Sequence, residues 1–514
     1  MRYVLIAHRY LAVATGLLMT LWCLSGFVMM YQAFPEQTRE QRLQGLEPLD
    51  LGNCCNLSLL PIEDDAPAPS FRVEMLLGEP VLRMPSQVVR LRSGFYQAPL
   101  DDEQVMQVAR TWAAGNAPDA RPVSAGVIER DQWTIQSASR NQPIHHIEMN
   151  DRAGTEIYIN GDTGEVFQKT TRRERVLSWF GVIPHWLYPT LLRQNGALWV
   201  EVVIWASIAG TFLAATGLYV GLGRVKTRRD RLRVRPVAGS RVSPYRGLWY
   251  WHHMLGLVFG VLTLTWVFSG LMTMNPWGAL TGGGGQEYRE ALVGQARWGD
   301  VRQFLGAASD AQQRGDLPET LKSLESRVFG GELQVMAGTV MDSTVVADRG
   351  AVDSVAASPV IAPTAPLRLD VTAEPASPVT AARVAELLQD AWSPREVILM
   401  ESEDAYYYAH KSPIELPVVR VTMDDAEGTR IYVGHESANV RVLTDSARTS
   451  RWIRTGLHRL DFAFMKSRPV WDILVILLLI GVTCLCATGT WMSFQRIRHD
   501  FKALRQSRRR HGAR

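Results

Sequence analysis

Four runs of apolar residues interrupt an otherwise mixed chain: Tyr10 to Phe34, Leu198 to Leu222, Leu248 to Pro276 and Pro469 to Phe494. Each supplies the ~20 residues that a helix needs to cross the hydrocarbon layer of a bilayer. Between them lie two long mixed stretches. In the first, Asp101 to Ala114 has helical periodicity. Alternating segments predict strands at Gln132 to Ser137, Ile144 to Met149, Thr155 to Ile159 and Glu165 to Lys169, with a hairpin turn at Asn160-Gly161-Asp162-Thr163-Gly164. In the second, Ser377-Pro378 opens a helix running to Trp392, and strands follow near Glu396 to Glu401, Pro417 to Met423 and Thr429 to Val433. The stretch 337–378 is rich in Ala, Val, Ser, Thr and Pro, and part of it reads as a loose linker.

Charge orients these pieces. The chain of 514 residues carries a formal net charge of only +4, but its arginines cluster. The connector after the second apolar run carries nine basic residues from Arg224 to Arg246, and the tail from Arg496 to Arg514 carries eight. Basic residues beside membrane helices mark the cytoplasmic side. Both termini are therefore expected inside, and both long loops outside. This explains the basic clusters without a nucleic-acid partner. Arg2 and Arg9 precede the first run, as in a secretion signal, but the run is too long and lacks a cleavage site, so a retained helix is expected.

The expected layout is a first transmembrane helix (1–35), an outer domain (36–180), and an interfacial segment leading into the second helix (181–223). A basic cytoplasmic loop (224–247) and a third helix (248–276) follow. A second outer domain (277–452), an interfacial segment with the fourth helix (453–495) and a basic tail (496–514) complete it. Bilayer lipid is the expected surrounding.

The two halves repeat. An offset of 244 superposes His8 on His252, Leu11 on Leu255, Gly16 on Gly260, Trp22 on Trp266, Ser25-Gly26 on Ser269-Gly270 and Met30 on Met274. An offset of 272 superposes Trp199 on Trp471 and Ala215-Thr216-Gly217 on Ala487-Thr488-Gly489, and an offset of 273 superposes His185 on His458. Tandem copies of the same topology are related by an axis along the membrane normal, which brings equivalent residues face to face.

Four of the 11 histidines occupy such equivalent positions. His8 and His252 stand at the cytoplasmic ends of the first and third helices, with Gly16, Gly26, Gly260 and Gly270 near the same faces. His185 and His458 stand in short amphipathic segments (Phe180 to Leu192, and Trp452 to Met465) at the outer interface. Small residues permit close helix packing, but they also leave a slot for a flat macrocycle held by axial imidazoles. Ionisable groups at such depths are costly and usually functional. One or two bis-imidazole b-type haems are expected, and two such groups stacked across the bilayer would connect the compartments. His253 is an alternative to His252, and zinc or copper an alternative metal, although two His alone make a poor zinc site. His145, His146, His410 and His435 read as strand or surface residues. Cys23, Cys484 and Cys486 read as apolar fillers, and Cys54-Cys55 as a redox pair or an incidental surface pair.

These patterns resemble the PepSY-associated transmembrane helix family. The resemblance rests on His8-Arg9 opening a helix that closes on Ser25-Gly26, and on the strand-turn Tyr158 to Val166. It rests also on Leu457-His458-Arg459, and on Thr216-Gly217 and Thr488-Gly489 closing the second and fourth helices. It implies an all-α four-helix transmembrane region of two tandem repeats with two α+β PepSY-like periplasmic domains, in a bacterial inner membrane. The family includes reductases of ferric siderophores, so the resemblance implies a haem-containing reductase used in iron acquisition. The residue patterns alone imply only transmembrane electron transfer. No dinucleotide-binding glycine motif follows a strand, so the electron donor is expected to be a cytoplasmic protein or membrane quinol. The alternative is a non-catalytic, membrane-anchored PepSY binding or regulatory protein.

Overall fold

The computed structural model describes residues 1–52, 54–55, 63–225, 242–280, 283–340, 367–389, 391–409 and 414–511. Most of the basic connector and residues 341–366 of the expected linker lie outside the described residues, as do His410 and the end of the tail. The chain divides into two units. One comprises Met1–Phe34, Glu174–Gly282 and Arg448–Arg514; the other comprises Pro35–Arg173 and Gly283–Ala447.

The first unit is built on four helices: Arg2–Met29, Gly196–Gly223, Gly247–Thr273 and Val470–His511. All four are long and apolar enough to cross a membrane. The first and third helices each pack on the second and the fourth, so they face each other diagonally across the bundle. Glycines set these contacts. A Cβ at Gly16 would come 3.2 Å from Thr490 Oγ1 of the fourth helix, and one at Gly260 would come 3.2 Å from Leu218 of the second. The side chains outside the bundle stay apolar and exposed, as at Leu17, Phe212, Val258 and Leu477. A surface of that kind is stable against lipid but not against water.

Among the described residues the second unit holds three antiparallel sheets. The largest runs β10-β9-β8-β1-β2-β3, from β1 (Arg72–Leu76), β2 (Glu79–Arg83), β3 (Val88–Arg90), β8 (Leu321–Phe329), β9 (Glu332–Thr339) and β10 (Arg368–Leu369). Strands from both long loops therefore share one sheet, with Val73 opposite Leu324. The helix Trp298–Arg314 covers it with Val301, Phe304, Leu305 and Ala308, a spacing that lines one helical face. The ends of the expected linker, β9 and β10, are paired strands of this sheet.

The other two sheets have the same order of elements. In one, the helix Asp102–Asn116, started by a capping box between Asp101 and Gln104, packs Val105, Ala109 and Trp112 on a meander. The strands are β4 (Val123–Ile128), β5 (Ile144–Glu148), β6 (Glu156–Asn160) and β7 (Val166–Thr170). In the other, the helix Ala381–Gln389 packs Val384 and Leu388 on β11 (Pro394–Met400), β12 (Val418–Met423), β13 (Arg430–Gly434) and β14 (Val440–Leu443).

One expected strand is wrong. Residues 132–137 form turns, because the Asp131 carboxylate accepts from the backbone N–H of Trp133 and Thr134 and from the Thr134 hydroxyl. Such local bonds compete with a ladder, and the strand that pairs with β5 lies upstream at Val123–Ile128.

The two β-turns illustrate one fold made with different chemistry. Asn160 Oδ1 accepts from the N–H of Asp162 and Thr163 at 2.9 and 3.0 Å. In the other sheet Gly434 stands at that place, and Glu415 reaches in to accept from the N–H of Glu436 and Ser437 at 2.7 and 2.9 Å.

Candidate functional site

The four repeated histidines meet in two pairs within the helical unit. The His8 and His252 rings have centres 6.5 Å apart, and the His185 and His458 rings 6.2 Å. His8 and His252 project from the first and third helices, which oppose each other across the bundle. His185 lies in the short helix Val182–Trp186 and His458 directly after the π-helical segment Trp452–Leu457, packed on the first and third helices respectively. Along the first helix, His8 and the Trp22 carbonyl that binds His185 are about 21 Å apart at the rise of an α-helix. The two pairs thus lie near opposite ends of the bundle.

Each ring is fixed through Nδ1. His8 Nδ1 donates to the Leu213 carbonyl at 3.1 Å. His252 Nδ1 donates to Thr488 Oγ1 at 3.0 Å, since the Thr488 hydroxyl proton is given to the carbonyls of Cys484 and Leu485. His185 Nδ1 donates to the Trp22 carbonyl at 3.1 Å, and His458 Nδ1 to the Trp266 carbonyl at 3.2 Å. Ser25 and Ser269 give their own protons to those same two carbonyls, at 3.0 Å each. A carbonyl accepts and cannot donate, so the proton sits on Nδ1 and the lone pair is left on Nε2. None of the four Nε2 atoms has a hydrogen-bond partner among the described residues. His185 and His458 lie outside the four long helices; burial lowers both, and with His458 opposite it His185 is pushed down to about 4. Both are neutral at pH 7.

The glycines at the pairs are not all those the repeat pointed to. Gly16 and Gly260 serve helix contacts rather than bordering a slot, and a Cβ at Gly26 would meet Leu479 at 3.5 Å. Of these four, only Gly270 stands against a ring: a Cβ there would fall 3.2 Å from His458 Cε1. The cradle of the other pair comes from Gly217 and Gly489, where a Cβ would fall 2.7 Å from His8 Cε1 and 3.0 Å from His252 Cε1. These two lie in the repeated Ala-Thr-Gly segment, inside the second and fourth helices rather than at their ends.

The geometry also separates His252 from His253. His253 uses both nitrogens, Nδ1 with Ser243 Oγ and Nε2 with the Gly221 carbonyl, each at 2.8 Å. It ties the connector to the second helix and has no free lone pair. His145 is buried on β5, His146 pairs with Glu156 at 3.2 Å and stacks on Tyr158, and His435 donates to the Val379 carbonyl. Cys54 and Cys55 are joined to each other and pack half-buried on the core of the six-stranded sheet.

Two imidazoles binding one metal ion from opposite sides, at a metal–nitrogen distance of about 2 Å, bring their ring centres about 6 Å apart. Both pairs have that spacing, with the outer ring nitrogens already tied down as in metal-ligating histidines generally. Among the described residues no group of three or more His, Cys, Asp or Glu could hold a metal ion. A tetrahedral zinc would keep two empty positions at either pair, whereas a planar macrocycle fills the equatorial positions itself. Trp22 and Trp266, at equivalent places in the two halves, each bury an indole N–H without a partner among the described residues. Buried unpaired donors are rare and call for an acceptor the protein does not itself supply. The donor set of each pair fits a planar macrocycle carrying a metal, which the two imidazoles would hold.

The profile of the PepSY-associated TM region matches residues 5–496. Comparison with curated proteins gives no match.

Proposed function

This chain belongs to the PepSY-associated TM region family and is a multi-pass membrane protein, and from that premise we propose that it is a haem-containing inner-membrane reductase. Electrons enter from the cytoplasmic side and leave to a ferric-siderophore-type complex on the periplasmic side. One observation carries the reading: two symmetric imidazole pairs, at 6.5 and 6.2 Å, with every Nδ1 occupied and every Nε2 without a partner among the described residues. Haem b bound at the pairs would supply reversible one-electron iron chemistry.

His8 and His252 would hold the cytoplasmic-side group and His185 and His458 the periplasmic-side one. Leu213, Thr488, Trp22 and Trp266 fix the tautomer and tilt of each ring and make it a better donor. Gly217 and Gly489 leave the first pair its room, and the apolar bundle keeps water from the path. The arginine-rich ends favour a cytoplasmic side for both termini and a periplasmic side for the β-rich unit. The repeated order of helix and meander favours two PepSY-like halves derived by duplication. The donor is a cytoplasmic protein or a quinol. Reduction releases the metal because hard oxygen ligands hold Fe(III) much better than Fe(II).

The test uses purified full-length protein in neutral detergent. It should be red, shift its Soret band with dithionite, and shift back when ferric citrate is added anaerobically, with Fe(II) appearing in a chelator assay. A colourless preparation from haem-replete cells would instead make the chain a membrane-anchored binding or regulatory protein.

A further inference from the structure

The β-rich unit contains a cavity of 270 Å³ between β8, the helix Gln286–Val293 and the turn from β13 to β14. Its lining has two kinds of surface. Phe71, Leu333 and Val440 contribute an apolar floor. Arg289, Arg327 and Asn439 contribute the polar part, and no Asp or Glu lines it.

Both guanidiniums lack a counter-ion. Most arginines of this unit are paired: Arg83 with Glu74, Arg72 with Glu165, Arg297 with Asp65 and Arg383 with Glu332. Arg289 and Arg327 have neither an ion pair nor a side-chain hydrogen bond among the described residues. Nε of Arg327 is buried with no partner, and the residue opposite it on β9 is the neutral Gln334. A half-buried guanidinium without an acceptor is unfavourable unless something else provides the charge. Guanidinium forks match carboxylates in shape and can bind them through two parallel bonds.

We propose that this cavity binds a small organic anion, an aromatic or branched carboxylate, with its charged end between Arg289 and Arg327 and its apolar part on Phe71, Leu333 and Val440. The volume is just below the usual range for small-molecule pockets, about 300–1,000 Å³, and accommodates one ring rather than a large complex. The site is separate from the histidine pairs and does not depend on the haem reading.

Calorimetric titration of the full-length protein in neutral detergent, with benzoate as the probe, tests this. Benzoate should bind with one saturable site, and at least tenfold more weakly to Arg327→Gln and to Arg289→Gln. Benzamide, the neutral analogue of the same shape, should not bind. Arg289 is exposed, so its variant keeps the fold, which an unchanged melting temperature checks. Absence of saturable benzoate binding, equal binding of benzamide, or unchanged affinity in the Arg289 variant would each overturn the proposal.

Discussion

Replacing Gly217 by Ala puts a single methyl group against a single ring. The new Cβ would lie 2.7 Å from His8 Cε1 and 3.2 Å from Nδ1. Ordinary contact begins near 3.4 Å, so the ring must retreat by about 0.7 Å. The bond from His8 Nδ1 to the Leu213 carbonyl is already 3.1 Å long, and that retreat carries it out of hydrogen-bonding range. The loss is about 1 kcal/mol for the bond and ~1–3 kcal/mol for overpacking, offset by about 1 kcal/mol from the better helix propensity of Ala. Gly489→Ala at His252 needs a smaller shift, from 3.0 Å, and should do less. Gly256→Ala is the control. Its Cβ would meet only Leu485, at 3.8 Å, so the propensity gain should remain. The assay is haem per chain from the absorbance of purified protein, with thermal unfolding measured on the same samples. Gly217→Ala should lose much of one haem of the two with a small change in melting temperature, and Gly256→Ala should lose none. Full haem content in Gly217→Ala would refute the idea that this glycine positions the His8 ring.

Three further outcomes are expected. Burial alone would raise the Glu74 carboxyl, but the nearby charges of Arg83, Arg72 and Arg42 outweigh it, so its folded pKa lies below the ordinary 4.5. Its stabilisation is therefore complete above about pH 4.5 and lost as pH falls below that; in acid titrations followed by tryptophan fluorescence, Glu74→Gln should flatten this loss and lower stability at pH 7 by ~3–5 kcal/mol. His253→Ala should cost ~1–3 kcal/mol by stranding Ser243 and the Gly221 carbonyl, read as a lower melting temperature with the haem count unchanged. Asn160→Ala and Glu415→Ala each remove the acceptor of two turn N–H groups, so both should destabilise the β-rich unit by about 1–3 kcal/mol in denaturant titrations.

The membrane helices were legible because lipid imposes a simple rule of length and apolarity, and their bounds moved by only a few residues except at the first, which begins at Arg2, and at the fourth, which runs on to His511. The pairing of His8 with His252 and of His185 with His458 was legible from the matched sequence segments, whose corresponding residues lie face to face. The roles of the glycines were not, because a small residue on a helix face says that something approaches closely without saying what. At Gly16 it is Thr490, at Gly217 an imidazole. The six-stranded sheet escaped because its centre joins β1 to β8 across more than 200 residues, and no local pattern encodes that partnership. The false strand at 132–137 had the right alternation, and Trp133, Thr134 and Ile135 are indeed buried, but Asp131 captured the backbone first.

Counting haem in single histidine variants reaches the central claim most directly. Purified wild-type protein should carry two haems per chain, both six-coordinate and low-spin. His8→Ala and His185→Ala should each carry one, and the double variant none, while His253→Ala and His145→Ala keep both. Two haems retained in the His8 and His185 double variant, or none in the wild type, would contradict the account.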